Sequence, residues 1–136
     1  MAVVEELLRT ESDRTISFGN HKLASKAKLE DYEHGGNLYK VKTFKELTKL
    51  EKNGMFAYES EPGTSVNRFE ETVNGVSFTV VGDEDAQITV GLEEDTVYKV
   101  YVDGTNIGEM KTNLSGKLSI SVELASVGAV EVKIVK

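Results

Sequence analysis

The chain has no cysteine and no tryptophan, a single proline (Pro62), two histidines (His21 and His34) and three arginines (Arg9, Arg14 and Arg68). Without cysteine there are no disulfides, thiolate metal sites or cysteine nucleophiles, although a cysteine-free chain is compatible with any redox compartment. No apolar run approaches the roughly 20 residues that span a bilayer as a helix, so no membrane partner is expected. The amino-terminal stretch carries Glu5 and Glu6 where a secretion signal places basic residues, and it lacks a sustained apolar segment. The expected location is therefore the cytoplasm. A net charge of -7 argues against nucleic acid, because an acidic surface repels phosphate backbones.

That charge is unevenly spread. Residues 1–62 hold 10 basic and 11 acidic groups, while residues 63–136 hold 6 and 12. The acidity thus lies after Pro62, where the hydrophobic pattern also sharpens. With 136 residues the chain is one ordinary domain, or two small modules sharing a core.

After Gly63 the sequence gives seven short apolar-alternating runs, near 65–73, 76–81, 86–92, 96–102, 106–111, 117–124 and 128–135, each bounded by turn residues. That spacing predicts an all-β sandwich. Asn74-Gly75 and Asp103-Gly104 read as hairpin turns, since these residues tolerate positive φ. In "YKVYVDG" the residues Tyr98, Val100 and Val102 share one face, and Leu118, Ile120, Val122 and Leu124 do the same in "KLSISVEL"; period two puts these sets in the core.

Before Pro62 the pattern is looser but still strand-like, in "AVVEELLRTE", "RTISFG", "KAKLEDYEH", "NLYKVKTF" and "GMFAYES", with Gly35-Gly36-Asn37 as a hairpin turn. Residues 43–52 have two readings. Thr43 with Glu46 makes a capping box that opens a short helix ended at Asn53-Gly54. The same Asn53-Gly54 is a two-residue hairpin signal, and this second reading is preferred. "EPGT" fits a type II turn with Pro62 and Gly63 at its centre. The expected architecture is all-β, an immunoglobulin-like carboxyl-terminal sandwich (residues 63–136) preceded by a smaller β module (residues 1–62) packed against it.

The stretches "FGN", "KLEDYEHGGNLYKVKT", "TKLEKNG" and "YESEPGT" resemble a family of small proteins of anaerobic Gram-positive bacteria, sometimes automatically labelled endosialidases. The resemblance covers nearly the whole chain and implies a two-part β protein; it brings no catalytic residues with it. Sialidase chemistry itself needs an arginine triad, a tyrosine nucleophile with a glutamate base, and an aspartate acid, mounted on a propeller of several hundred residues. This chain is too short for a propeller, and "SDRTISFG" lacks the aspartate-box pattern.

Other constellations fare no better. Asp83, Glu84 and Asp85 precede one strand and Glu93, Glu94 and Asp95 follow it. At about 3.3 Å per residue the two groups stand roughly 20 Å apart, too far for one calcium site. On a strand Asp31 and Glu33 share one face and Tyr32 and His34 the other, so no metal or acid/base cluster forms there; both histidines read as exposed strand-end residues. No nucleophile elbow or phosphate-binding glycine loop is present, and no cofactor is expected.

These exclusions leave a non-enzymatic binding or assembly protein that recognises another protein or copies of itself. The final strand, "AVEVKIVK", reads as an exposed edge guarded by Lys133 and Lys136, through which a homodimer would form. The alternative is a carbohydrate-binding module, for which Tyr32, Tyr39, Tyr58 and Tyr101 are the candidate contacts, since sugars stack on exposed aromatic faces. A glycosidase with two carboxyl groups in a cleft stands third.

Overall fold

The computed structural model describes residues 3–136, and among these the regular structure is all strand, joined by turns and loops. The first predicted strand run begins at Ala2, which lies outside the described residues. Thirteen strands are formed among the described residues: β1 (Leu8–Thr10), β2 (Ile16–Phe18), β3 (Ala27–His34), β4 (Asn37–Phe44), β5 (Leu47–Lys52), β6 (Met55–Glu61), β7 (Ser65–Thr72), β8 (Gly75–Val81), β9 (Ala86–Gly91), β10 (Val97–Val102), β11 (Thr105–Lys111), β12 (Lys117–Val122) and β13 (Val130–Val135). They build two antiparallel sheets, ordered β1-β2-β7-β8-β13-β10-β11 and β12-β9-β6-β5-β4-β3. The all-β sandwich architecture is as the alternation predicts.

The segment 43–52 is strand and turn, not helix. Thr43 is buried in β4, where its Oγ1 lies 2.8 Å from that of Thr48 on β5. Asn53 and Gly54 both adopt left-handed φ, 53° and 78°, which closes β5 on β6 as a two-residue hairpin. Gly35-Gly36 and Asp103-Gly104 close β3–β4 and β10–β11 the same way.

Two turns differ from expectation. The β7–β8 hairpin turns at Val73-Asn74, with Thr72 opposite Gly75. Gly75 is instead required inside the sheet, because a Cβ there would overlap the Ile134 carbonyl on β13. "EPGT" is not a type II turn either: the Glu61–Pro62 peptide is cis and Gly63 is absent from the left-handed region, whereas that turn needs φ > 0 at its third residue. Gly63 fits closely against the Phe44 carbonyl, which leaves no room for a side chain, and its N–H donates to the Lys45 carbonyl at 3.0 Å.

Pro62 marks one of the points where the chain crosses from one sheet to the other. Each sheet contains strands from both sides of it: β1 and β2 join the sheet of β7, β8, β10, β11 and β13, while β9 and β12 complete the sheet of β3–β6. One core cluster holds the sheets together. At its centre Tyr58 of β6 meets Phe18, Phe69 and Phe78 of the opposite sheet edge to face, with ring centroids 5.2, 6.2 and 5.6 Å apart; such pairs add to what burial alone contributes.

The expected edge position of the last strand is overturned. β13 lies inside its sheet, between β8 and β10, because β10 turns back through β11 and leaves its other side open to β13. The edges are β1 and β11 in one sheet and β12 and β3 in the other.

Candidate functional site

Following the antiparallel strands places the turns 11–15, 35–36, 53–54 and 73–74 and the loop 92–96 at one end of the sandwich. There the sheets diverge around a groove bridged by one ion pair, Lys52 Nζ of β5 to Glu71 Oε1 of β7, at 3.3 Å. On one side of the bridge is a recess of about 250 Å³ lined by Arg14, His34, Tyr39 and Glu70. On the other is a wider one of about 500 Å³, reaching Val73, Leu92, Glu93 and Tyr98.

Local sequence explains these placements. Asp13 Oδ1 accepts hydrogen bonds from the Thr15 N–H (3.1 Å) and hydroxyl (2.6 Å), closing a turn in which Arg14 takes φ 72° and projects outward. The Thr15 bonds also hold the Asp13 carboxyl below its ordinary pKa. Nearby, Glu11 accepts from the Ser17 hydroxyl and from Arg9 Nε at 3.0 Å, and the Ser17 bond, ahead of Arg9, lowers its pKa. Opposite, the β3–β4 and β5–β6 tips are tied by Asn53, whose Oδ1 accepts from the Leu38 N–H (3.0 Å) and whose Nδ2 donates to Asn37 Oδ1 (2.8 Å). Tyr39 and Lys52 are cross-strand partners and so point the same way, into the groove. Burial and then the Glu71 charge raise the Tyr39 pKa.

The flank beside the smaller recess is closed by side chains. Thr10 Oγ1 of β1 lies 2.9 Å from Tyr32 Oη and 3.2 Å from His34 Nδ1 of β3. Tyr32 and His34 do share a face, while Asp31 and Glu33 are exposed on the other.

Of the four candidate tyrosines, the structure brings two together. Tyr32 and Tyr39 are cross-strand partners across a bulge, with His34 within 6.1 Å of the Tyr39 ring. Tyr58 is fully buried in the core, its Oη 2.7 Å from Thr64 Oγ1, and presents no face for stacking. Tyr101 sits half-buried on β10 in the other sheet, remote from the groove. Sequence reasoning missed Arg14, Lys52, Glu70 and Glu71 as groove residues. No local signal marked them, because their convergence depends on which strands pair.

His21 corrects another expectation: it is buried, not exposed. Its Nδ1 lies 2.7 Å from Ser65 Oγ and its Nε2 3.6 Å from Asp83 Oδ1. Burial lowers the imidazole pKa, with Asp83 pulling the other way. Asp83 also pairs with Lys22 Nζ at 2.7 Å, and this bond is the main reason its own pKa falls. The trio has the composition of a hydrolase triad with the accessibility reversed. A nucleophilic hydroxyl must face substrate and its aspartate is ordinarily sheltered; here Ser65 is completely buried and Asp83 is half exposed.

The acidic runs at 83–85 and 93–95 sit at opposite ends of β9. Asp85 Oδ1 accepts from the Leu124 and Ala125 N–H groups at 2.9 and 3.0 Å, and Asp95 pairs with Lys111 at 3.1 Å, so each run is tied to a different neighbouring segment. The three arginines turn to different partners: Arg9 contacts Glu6 and Glu11, Arg68 faces Asp13 at 3.9 Å, and Arg14 lines the groove. Comparison with protein-family models, curated proteins and solved structures finds no match to this chain.

Proposed function

We propose that this protein is a non-enzymatic binding module that takes a polar, hydroxyl-rich ligand, a carbohydrate, in the groove between its sheets. The supporting observation is the Lys52–Glu71 bridge with Arg14, His34 and Glu70 around it. Donors of the guanidinium and ammonium type stand with carboxylate acceptors around a recess that Tyr39 also lines. Sugar hydroxyls both donate and accept, so a mixed set of fixed charged partners suits them. The groove draws on both sheets, and a ligand there would tie them together.

Hydrolysis is not part of the reading. Glu70 and Glu71 are neighbours on one strand, and Glu71 and Glu93, which line the wider recess together, are each held in an ion pair, with Lys52 and Lys136, whereas hydrolysis needs two carboxyl groups free to flank a glycosidic bond.

Calorimetric titration with a panel of neutral and acidic oligosaccharides tests the proposal. Arg14 makes no ion pair among the described residues, so Arg14→Ala leaves the fold intact and weakens binding by about tenfold, the size of one lost charge-assisted hydrogen bond. Silence across the panel, or binding that ignores Arg14→Ala, contradicts it. Recognition of a protein partner is favoured by a separate surface.

A further inference from the structure

Three of the four sheet edges carry a feature that discourages pairing with another chain. β1 is only three residues long. β3 is bulged where Asp31 turns left-handed (φ 59°), and it presents Lys28, Glu30, Asp31 and Glu33 outward. β11 is bulged at Gly108, whose N–H is taken by Asn106 Oδ1 at 2.8 Å. β12 has none of these. Its six residues pair with β9 in unbroken register, from Lys117 opposite Gly91 to Val122 opposite Ala86, and Lys117 is its one charge.

The direction of its main-chain groups follows from the ladder. Gly116 accepts from the Leu92 N–H at 2.7 Å, so the even-numbered residues of β12 bond to β9 and the odd-numbered ones point to the open side. Lys117 is consistent with this: its N–H donates to Asn113 Oδ1 (3.0 Å) and its carbonyl accepts from the Asn113 N–H (3.1 Å). The N–H and C=O groups of Ser119 and Ser121 are left facing outward.

We propose that β12 pairs with β12 of a second copy of this chain, antiparallel about a two-fold axis through Ile120. In that register Ser119 lies opposite Ser121 of the second copy, giving four main-chain hydrogen bonds, and Leu118 lies opposite Val122. Strand pairing stops short of Lys117, whose main-chain groups are taken by Asn113, and the Lys117 side chain is brought alongside that of Glu123 at each end. All paired positions have the same parity, so outward groups meet outward groups. Lys117 and Glu123 are both exposed and neither has an ion-pair partner among the described residues; Lys117 Nζ rests 4.5 Å over the Phe56 ring. The edge is thus self-complementary in hydrogen bonding and in charge, as an isologous interface requires. The pairing joins the two six-stranded sheets into one and covers the edge that, among the described residues, is left open at Ser119 and Ser121.

Light scattering of the full chain over a range of concentrations reads the outcome. A dimer of twice 14.9 kDa is expected. Lys117→Glu and Glu123→Lys each set like charges opposite one another at both ends of the interface, and each weakens association by about tenfold or more. The double exchange restores it, which a purely structural role for either residue does not predict. Circular dichroism of the variants checks that the fold is retained. A wild-type chain that stays monomeric at the highest concentration, or a dimer indifferent to the charge exchange, overturns the proposal.

Discussion

Tyr58 is the residue on which the two sheets most directly depend. Its ring meets three phenylalanines of the opposite sheet, and its hydroxyl reaches Thr64, which Ser60 also contacts at 2.8 Å. Burial raises the phenol pKa far above its ordinary value, so it stays a neutral hydrogen-bonding group throughout the folding range. Tyr58→Phe keeps the packing but removes one partner from a buried polar group, at a cost of about 1–3 kcal/mol, measurable as a shift in urea midpoint. Next to Thr64, Ser65 contacts His21, which sets a pH dependence. Folding lowers its pKa from the ordinary 6.5, so below that value the unfolded chain binds the proton more readily than the folded one. The contribution is fully present above pH 6.5 and is lost as pH falls towards the depressed value. Asp83, Asp13 and Glu11 also have lowered pKa values, but their contributions fade only below the ordinary carboxylate range. Thermal midpoints therefore fall between pH 7.5 and 5, and His21→Gln flattens that slope. Neither His21's burial nor Tyr58's central place has a local signal: both depend on what the opposite sheet brings to them.

At the scale of elements the sequence was legible wherever information is local. Period-two alternation located the strands after Gly63, and Gly35-Gly36, Asn53-Gly54 and Asp103-Gly104 located three hairpin turns along the chain, because left-handed φ selects those residues. The hairpin at 53–54 can be tested alone. Asn53→Ala removes the bonds to Leu38 and Asn37 and puts alanine in a left-handed position, costing about 1–2 kcal/mol, read as a lower urea midpoint. Strand order was not legible. The strong alternation of "AVEVKIVK" looks the same on an edge strand as on a central one, and only its pairing with both β8 and β10 tells them apart. Gly75 misled for a related reason: a glycine kept for close approach to β13 is written like one kept for a turn.

For the whole molecule the shift in charge at Pro62 coincides with a crossing between sheets, and the strands on either side of it are interleaved in both. The groove reflects that interleaving. Arg14, His34, Tyr39 and Lys52 come from before Pro62, and Glu70 and Glu71 from after it. Two of its residues, His34 and Tyr39, stood out in the sequence as members of an imidazole pair and an aromatic set, but the groove exists only once β5 and β7 face each other. The central claim is that this groove is where the molecule binds its ligand. Its most direct test is a backbone amide NMR titration of the intact chain with the oligosaccharide panel. The account predicts shift changes grouped at residues 14, 34–39, 52 and 70–71, with the far end of the sandwich around His21 and Asp83 unmoved. Changes grouped elsewhere, or a spectrum unaltered by every glycan, would contradict it.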